Sequence, residues 1–350
     1  MKEKIIYTNE VGAAIDRLVG AAGCKSVFTI VDVNTAAFCL PKLRDTSAAV
    51  AGSTVLTVKA GDSEKNLDAA VALWKSLSNG GATRSSMIIN VGGGVVTDLG
   101  GFVASAFKRG VPYINVPTTL LGAVDAAVGG KTGINFNGLK NEVGAFGQPV
   151  ATIISTMFFA TLPAHEMLSG YAEMLKHALL SGNEALARAL SHDASDTAGL
   201  LDLLRENIKV KADIVASDPK EAGPRKALNL GHTAGHAFEA LALERKQPIP
   251  HGYAVAWGLI VELILSHIAL GYPTAHLYPV AQFVKAHYGS HPIACADYPR
   301  LLELMAHDKK NASPDEINFT LLRSPGDPVV NSTATPADIT AALDICSDLA

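Results

Sequence analysis

The sequence predicts two domains, an α/β N-terminal domain with a mainly parallel, doubly wound sheet (residues 1–160) and an all-α C-terminal domain (161–350). Three observations predict it. The length of 350 residues exceeds that of one ordinary domain. Short β-rich runs alternate with longer helical stretches over the first 150 residues, as crossover units of a parallel layer do. After about Thr161 the β-rich runs give way to one helical pattern after another.

In the first domain, Ser26–Val31, Ser86–Val91 and Tyr113–Val116 read as strands. Ser63–Leu77 and Thr97–Phe107 lie between them and repeat small and apolar residues at helical spacing. Pro163 suits the first turn of a helix over 163–180. Further helices are expected at 197–217, 230–242, 252–270 and 335–347, with a lone strand at Asn318–Leu322. No internal repeat or low-complexity tract is visible.

Apolar residues make up 48% of the chain, enough for a substantial core, so disorder is excluded. A formal charge of -4 without any Lys/Arg block leaves no electrostatic footprint for nucleic acid or an anionic membrane, and a small-molecule ligand fits better. Cys24, Cys39, Cys295 and Cys346 lie far apart with no C-x-x-C spacing, which indicates neither a zinc knuckle nor a disulfide framework. The N-terminus lacks the long apolar core of a secretory signal, so a cytoplasmic protein is expected. The run Gly252–Gly271 has the length of a membrane span, but Glu262 and His267 interrupt it, and it reads as a helix buried on all sides.

GGGVVTDLGGF (Gly92–Phe102) follows the strand Ser86–Val91 directly. Consecutive glycines there let backbone amides approach a diphosphate at a helix start. The spacing is not G-x-G-x-x-G, and glycine clusters also mark plain tight turns. Asp98 is placed in the first turn of the following helix, where the helix dipole favours a carboxylate. The second run, VDAAVGGKTGIN, is not a triphosphate loop, because Asp125 stands where the first glycine of G-x-x-x-x-G-K-T belongs. Lys131 among its glycines, with Lys140 and Asn141 behind, offers cations and an amide on flexible backbone for phosphate or carboxylate. A solvated basic loop is the bland alternative.

In LNLGHTAGHAFEAL an apolar stripe runs through Leu230, Thr233, Ala234, Ala237, Phe238 and Leu241, with His232 and His236 on an adjacent face. A histidine pair one turn apart more often has no metal than holds one. Two further residues change the balance. His251 stands just before the very apolar helix, and Glu173 is embedded in GYAEMLKHALL, where a carboxylate needs Lys176 or a divalent cation to compensate it. Glu173 with two histidines would hold zinc with an open position, as catalytic sites do. Lys211 falls on the apolar face of its helix, and Arg225 follows a turn-like segment that carries Glu221; each marks a site or a cation whose stem lies along a core edge.

Together these runs, with VPTTLLGAVDAAVGGKTGIN, LKNEVGAFGQP, HGYAVAWG and HDKKN in order from about Asp32 to Lys310, resemble the 3-dehydroquinate synthases of the sugar phosphate cyclase superfamily. The resemblance implies a Rossmann-like N-terminal domain holding NAD and a helical C-terminal domain holding metal and substrate, in a homodimeric lyase of the shikimate pathway. The implied reaction turns 3-deoxy-D-arabino-heptulosonate 7-phosphate into 3-dehydroquinate and phosphate. Its implied steps are NAD-mediated transient oxidation, phosphate elimination, re-reduction, ring opening and intramolecular aldol closure.

By the same resemblance Glu173, His232 and His251 match the metal ligands, for zinc or cobalt. Asp32, Asn34, Asp62, Lys65, Gly93, Gly94, Asp98, Thr118, Thr119, Lys140, Phe158 and Thr161 match NAD contacts. Arg109, Asp125, Lys131, Asn141, Lys176, Lys211, Arg225, Asn229 and one of Lys309 and Lys310, here Lys309, match substrate contacts, Arg109 across a dimer interface. His236 and Glu221 match proton-transfer groups, and Lys131, Lys176 and Asn141 join the catalytic set. Thr97, Gly147 and Ser169 depart from the family pattern without removing a functional group; Ser169 is expected still to permit a hydrogen bond to substrate.

Two other enzyme readings share this plan: a cyclase acting on sedoheptulose 7-phosphate, and a metal-dependent alcohol or glycerol dehydrogenase. VDAAVGGKTGIN favours dehydroquinate formation over the first. Glu173 as a ligand and the Lys and Arg cage argue against the second. A non-catalytic metabolite-binding regulator would be expected to have lost a ligand or proton-transfer residue, and none is lost.

Overall fold

The computed structural model describes residues 4–137, 139–192, 199–218, 221, 223–291, 293–306 and 317–349. The chain divides into two compact units, Met1–Pro163 with Thr197–Ile208, and Ala164–Asp196 with Lys209–Ala350.

In chain order the first unit carries β1 (Ile5–Tyr7), α1 (Val11–Ala22), β2 (Ser26–Asp32), α2 (Val33–Phe38), α3 (Leu40–Thr46), α4 (Ala48–Ala51), β3 (Thr54–Val58) and α5 (Leu67–Asn79). It continues with β4 (Ser86–Gly92), α6 (Gly94–Ala106), β5 (Tyr113–Pro117), the pair β6 (Lys131–Phe136) and β7 (Leu139–Phe146), and β8 (Ala151–Ile154). Among the described residues, six strands form one parallel sheet in the order β1-β8-β5-β4-β2-β3.

Side chains of one strand alternate between the two faces. On β4, Met87, Ile89 and Val91 enter an apolar cluster with Ile15 of α1 and Leu43 of α3, while Ile88 enters another with Leu73 of α5 and Leu99 of α6. Both faces are therefore covered, which is why all of β4 is buried and its apolar residues do not alternate with exposed polar ones. Each Val, Leu or Ile so buried contributes about 1.5–3 kcal/mol relative to exposure.

Helix α6 starts three residues earlier than the sequence suggested, because Gly93 caps it at once after β4. Asp98 consequently lies beyond the first turn, and its carboxylate answers Lys65 rather than the helix dipole. The segment read as flexible backbone around Lys131 is instead the antiparallel pair β6–β7, its strands approaching closely at Gly133 and Gly144.

The second unit is helical: α7 (Ala164–Ser181), α8 (Asn183–Ser191), the later part of α9 (Leu200–Ser217), α10 (His232–Glu244), α11 (His251–Leu270), α12 (Thr274–Tyr288), α13 (Tyr298–Ala306) and α14 (Pro336–Leu349). Helix α11 is its axis, every residue from Ala254 to Ser266 being buried. Among the described residues this is the one helix with the length and composition of a membrane span, and 72% of its apolar window lies inside the protein, as a core helix requires. The strand expected alone at 318–322 has a partner: β9 (Ile317–Ser324) pairs antiparallel with β10 (Asp327–Ala334). Pro325-Gly326 makes the turn, with Gly326 at a φ of +88° that favours glycine. The polar sequence of β10 had hidden it.

Candidate active site

Close helix contacts build the centre of the second unit. A Cβ on Gly252 would stand 1.9 Å from the carbonyl oxygen of Ser169, so α11 touches the backbone of α7 just after His251. The Gly252 amide donates to the Ser169 hydroxyl at 3.1 Å, which ties α11 to α7 at this point. A Cβ on Gly258 would lie 2.1 Å from the Gly231 oxygen, and α11 therefore also meets the start of α10 directly.

These approaches bring His232 and His251 to the same oxygen of Glu173. Their Nε2 atoms lie 3.4 and 3.5 Å from Oε1. The Nδ1 of His232 lies 3.1 Å from the carbonyl of Leu230, and that of His251 lies 3.3 Å from the carboxylate of Glu239. An imidazole that donates through Nδ1 turns the Nε2 lone pair toward a cation, the usual outer support of a metal-bound histidine. One ligand atom from each of Glu173, His232 and His251 lies within 4.8 Å of the others. The His236 ring sits 5.2 Å from that of His232 and 6.1 Å from that of His251.

The charges fit a cation. Glu173 is fully buried, its Oε2 against the Lys176 ammonium and its Oε1 facing the two imidazoles. The Lys176 ammonium, itself buried, pairs with it. Burial raises the Glu173 carboxyl, but Lys176 foremost and then the two imidazoles outweigh this and hold it well below the usual range. Burial, helped by Lys176, pushes His232 well down, leaving the neutral imidazole that a metal needs. Burial would also lower His251, yet the Glu173 and Glu239 carboxylates outweigh it and lift the ring to about 10, so without a cation this ring carries a proton. One carboxylate and two imidazoles with an open side are the donor set of a catalytic zinc or a similar divalent ion.

In the same unit Lys211 and Arg225 are buried. Asp218 receives the amides of Gly223 and Arg225 at 2.7 and 3.2 Å, which shapes the turn before Arg225. Asn229 donates to Glu221 at 3.2 Å. Lys309 and Lys310 lie outside the described residues.

In the first unit the sheet order reverses between β2 and β4, since β3 lies on one side of β2 and β4 on the other. Parallel sheets bind ligands at the carboxyl ends flanking such a reversal. Asp32 ends β2, Gly93 and Gly94 follow β4, and Thr118 and Thr119 follow β5. A Cβ on Gly93 would come within 2.9 Å of the Thr119 methyl, and one on Gly94 within 3.1 Å of Ala126, so a side chain at either position would crowd its neighbour. No side chain caps the N-terminus of α6, and its amides suit a diphosphate. Asp32 itself caps α2, receiving the amides of Asn34 and Thr35, each at 2.8 Å.

Beside these lies a polar network in which Lys65 donates to Asp98 at 3.0 Å and to Asn141 at 2.6 Å, while Lys140 stands 3.7 Å from Asp62. Asn135, which the sequence did not single out, ties it together by donating to Asp62 and receiving the Asn141 amide. Phe158 is packed in the apolar core, which leaves main-chain groups for any ligand, and the Thr161 hydroxyl donates to its carbonyl. Arg109 and Lys131 are exposed, and Asp125 sits half-buried in the π-helical turn Gly122–Ala126.

Family models described as 3-dehydroquinate synthase N-terminal and C-terminal match residues 55–169 and 170–311. The chain belongs to the 3-dehydroquinate synthase family. A 3-dehydroquinate synthase of Parabacteroides distasonis is 44% identical over 98% of this chain and 97% of its own. Among solved structures, 2-deoxy-scyllo-inosose synthase complexed with carbaglucose-6-phosphate, NAD+ and Co2+ superposes with a TM-score of 0.83 at 21% identity, over 98% of this chain and 96% of that one. The 2-epi-5-epi-valiolone synthase of Streptomyces hygroscopicus with NAD+ and Zn2+ bound gives 0.82 at 24%, over 99% and 97%. The dehydroquinate synthase-like fold is thus shared with both of these synthases.

Glu239 supports the cluster from behind His251, and the sequence reading passed over it. Its signal was spacing: it lies seven residues after His232, two turns along the same helix face.

Proposed function

We infer that the chain is a 3-dehydroquinate synthase, a phosphorus–oxygen lyase (EC 4.2.3.4) of the shikimate pathway, converting 3-deoxy-D-arabino-heptulosonate 7-phosphate to 3-dehydroquinate and phosphate. The observation that carries the reading is the convergence of Glu173, His232 and His251 in a chain that belongs to this family along most of its length.

NAD held by the glycine turn would accept and return a hydride, and a zinc or cobalt ion held by Glu173, His232 and His251 would polarise a substrate hydroxyl. The chain's own residues do the rest. His236, on the turn after His232, takes the hydroxyl proton at its imidazole, with Glu221 as second proton-transfer group. Lys176, Lys211 and Arg225, buried cations of the second unit, hold the carboxylate and phosphate with Asn229 and Lys309. Arg109, Asp125, Lys131 and Asn141 complete substrate binding. In this cage the departing phosphate serves as base for its own elimination. The later ring opening and aldol closure draw on proximity, since both reacting ends belong to one molecule. The remaining NAD contacts are Asp32, Asn34, Asp62, Lys65, Asp98, Thr118, Thr119, Lys140, Phe158 and Thr161. The working form is a cytoplasmic homodimer.

The test supplies the heptulosonate phosphate with substoichiometric NAD and zinc or cobalt and follows both products. Phosphate and dehydroquinate in equal amounts, far exceeding NAD, are expected. NADH accumulating without phosphate would instead identify a dehydrogenase, and turnover confined to sedoheptulose 7-phosphate a neighbouring cyclase.

A further inference from the structure

Helix α10 carries His232 as its first residue, and its cap, Gly231, has no side chain to receive the orphan amides of the first turn. Those amides are received by another helix. Glu262 of α11 is fully buried; its Oε2 accepts the Gly231 amide at 2.6 Å, and its Oε1 accepts those of Thr233 and Ala234 at 3.0 and 3.3 Å. The three donors bracket His232. The helix that supplies Glu262 is the one that opens with His251, and it touches α10 one turn earlier, at Gly258. A carboxylate inside so apolar a helix is costly to bury unless its bonds are satisfied, and these bonds satisfy it while fixing one candidate ligand's backbone to the helix of the other.

We propose that Glu262 is a positioning residue for the metal centre, capping α10 from the neighbouring helix so that His232 is held in ligating geometry before the cation arrives. This rests on the reading of Glu173, His232 and His251 as ligands. Glu262 touches neither cation nor substrate and acts through His232.

The test uses metal-free full-length protein and measures zinc and cobalt affinity by chelator competition, the cobalt absorption spectrum, and urea stability. Glu262→Gln keeps the shape, but its amide nitrogen must face either the Gly231 amide or those of Thr233 and Ala234. The expected loss of affinity is about 10–100-fold, the range for residues that orient ligands, with an altered cobalt spectrum. Ser266→Ala is the structural control. The Ser266 hydroxyl donates to the Glu262 carbonyl and receives the Leu322 amide, neither of which belongs to α10. It should lower stability and leave affinity unchanged.

Wild-type affinity in Glu262→Gln, or an equal loss in Ser266→Ala, overturns the proposal. Should Glu262→Gln not fold, hydrogen exchange on the wild type decides: the amides of Gly231, Thr233 and Ala234 should be protected already without metal, and protection appearing only on loading overturns it. Undiminished binding in His232→Ala would overturn the metal centre itself, and the proposal with it.

Discussion

Lys176 and Glu173 form a fully buried ion pair three residues apart on α7, and the same carboxylate faces the Nε2 atoms of two imidazoles. The ammonium and a divalent ion held at the proposed centre would therefore neutralise the same group. Removing one partner of a buried pair leaves an uncompensated charge at a cost of about 3–5 kcal/mol. Lys176→Met should accordingly be destabilised by that order when metal-free, and zinc should raise its Tm more than that of the wild type. Calorimetry with and without zinc checks this; equal zinc-induced shifts would show that the two cations do not share Glu173.

Glu239 supports His251 from behind, and the consequence is again an affinity. Glu239→Gln keeps an oxygen near Nδ1 but loses the charge, so zinc binding should weaken about 10-fold or more, with turnover restored at high zinc. Activity titrated against free zinc separates this from loss of fold, because a misfolded variant would not recover at saturation.

Much of this centre was legible. Glu173 stood out because a carboxylate within an apolar helix requires compensation, and His251 because it opens the most apolar helix of the chain. What spacing alone did not decide was which two of His232, His236 and His251 share Glu173. That depends on helix crossings at Gly252 and Gly258, where atoms far apart in sequence come within contact distance. Strands β1, β3 and β8 escaped notice for a different reason: they are short, and tertiary pairing rather than local pattern makes them strands. The β6–β7 pair was misread as flexible because its glycines, which permit close strand approach, look like loop residues in isolation.

At the proposed NAD site the backbone is bare at Gly93. Its φ of −73° suits any residue, so Gly93→Ala is not strained; the obstacle is the Thr119 methyl, 2.9 Å from the added Cβ. NAD affinity should fall about 10-fold or more while zinc affinity stays unchanged, and Thr119→Ser, which removes that methyl and keeps the hydroxyl, should restore part of it in the double variant. Calorimetric titration of NAD into both proteins is the measurement. No recovery in the double variant would mean that the turn is bare for a reason other than Thr119.

Away from the centre, His291 gives the stability a dependence on pH. Its ring packs against Phe238 and Trp257, centroids 4.0 and 4.6 Å away, and among the described residues neither buried ring nitrogen has a hydrogen-bond partner. Burial pushes its pKa down to about 3 from an ordinary value near 6.5. Below about pH 6.5 the unfolded chain takes up a proton that the folded chain refuses until about pH 3, so stability is full above that window and declines as pH falls through it. One such proton is worth at most about 1.4 kcal/mol per pH unit, or about 2 kcal/mol between pH 6.5 and 5. His291→Phe keeps an aromatic ring without the proton site. Its urea midpoint relative to wild type should therefore be more favourable at pH 5 than at pH 7.5, and an equal difference at both would show that the native ring already accepts the proton.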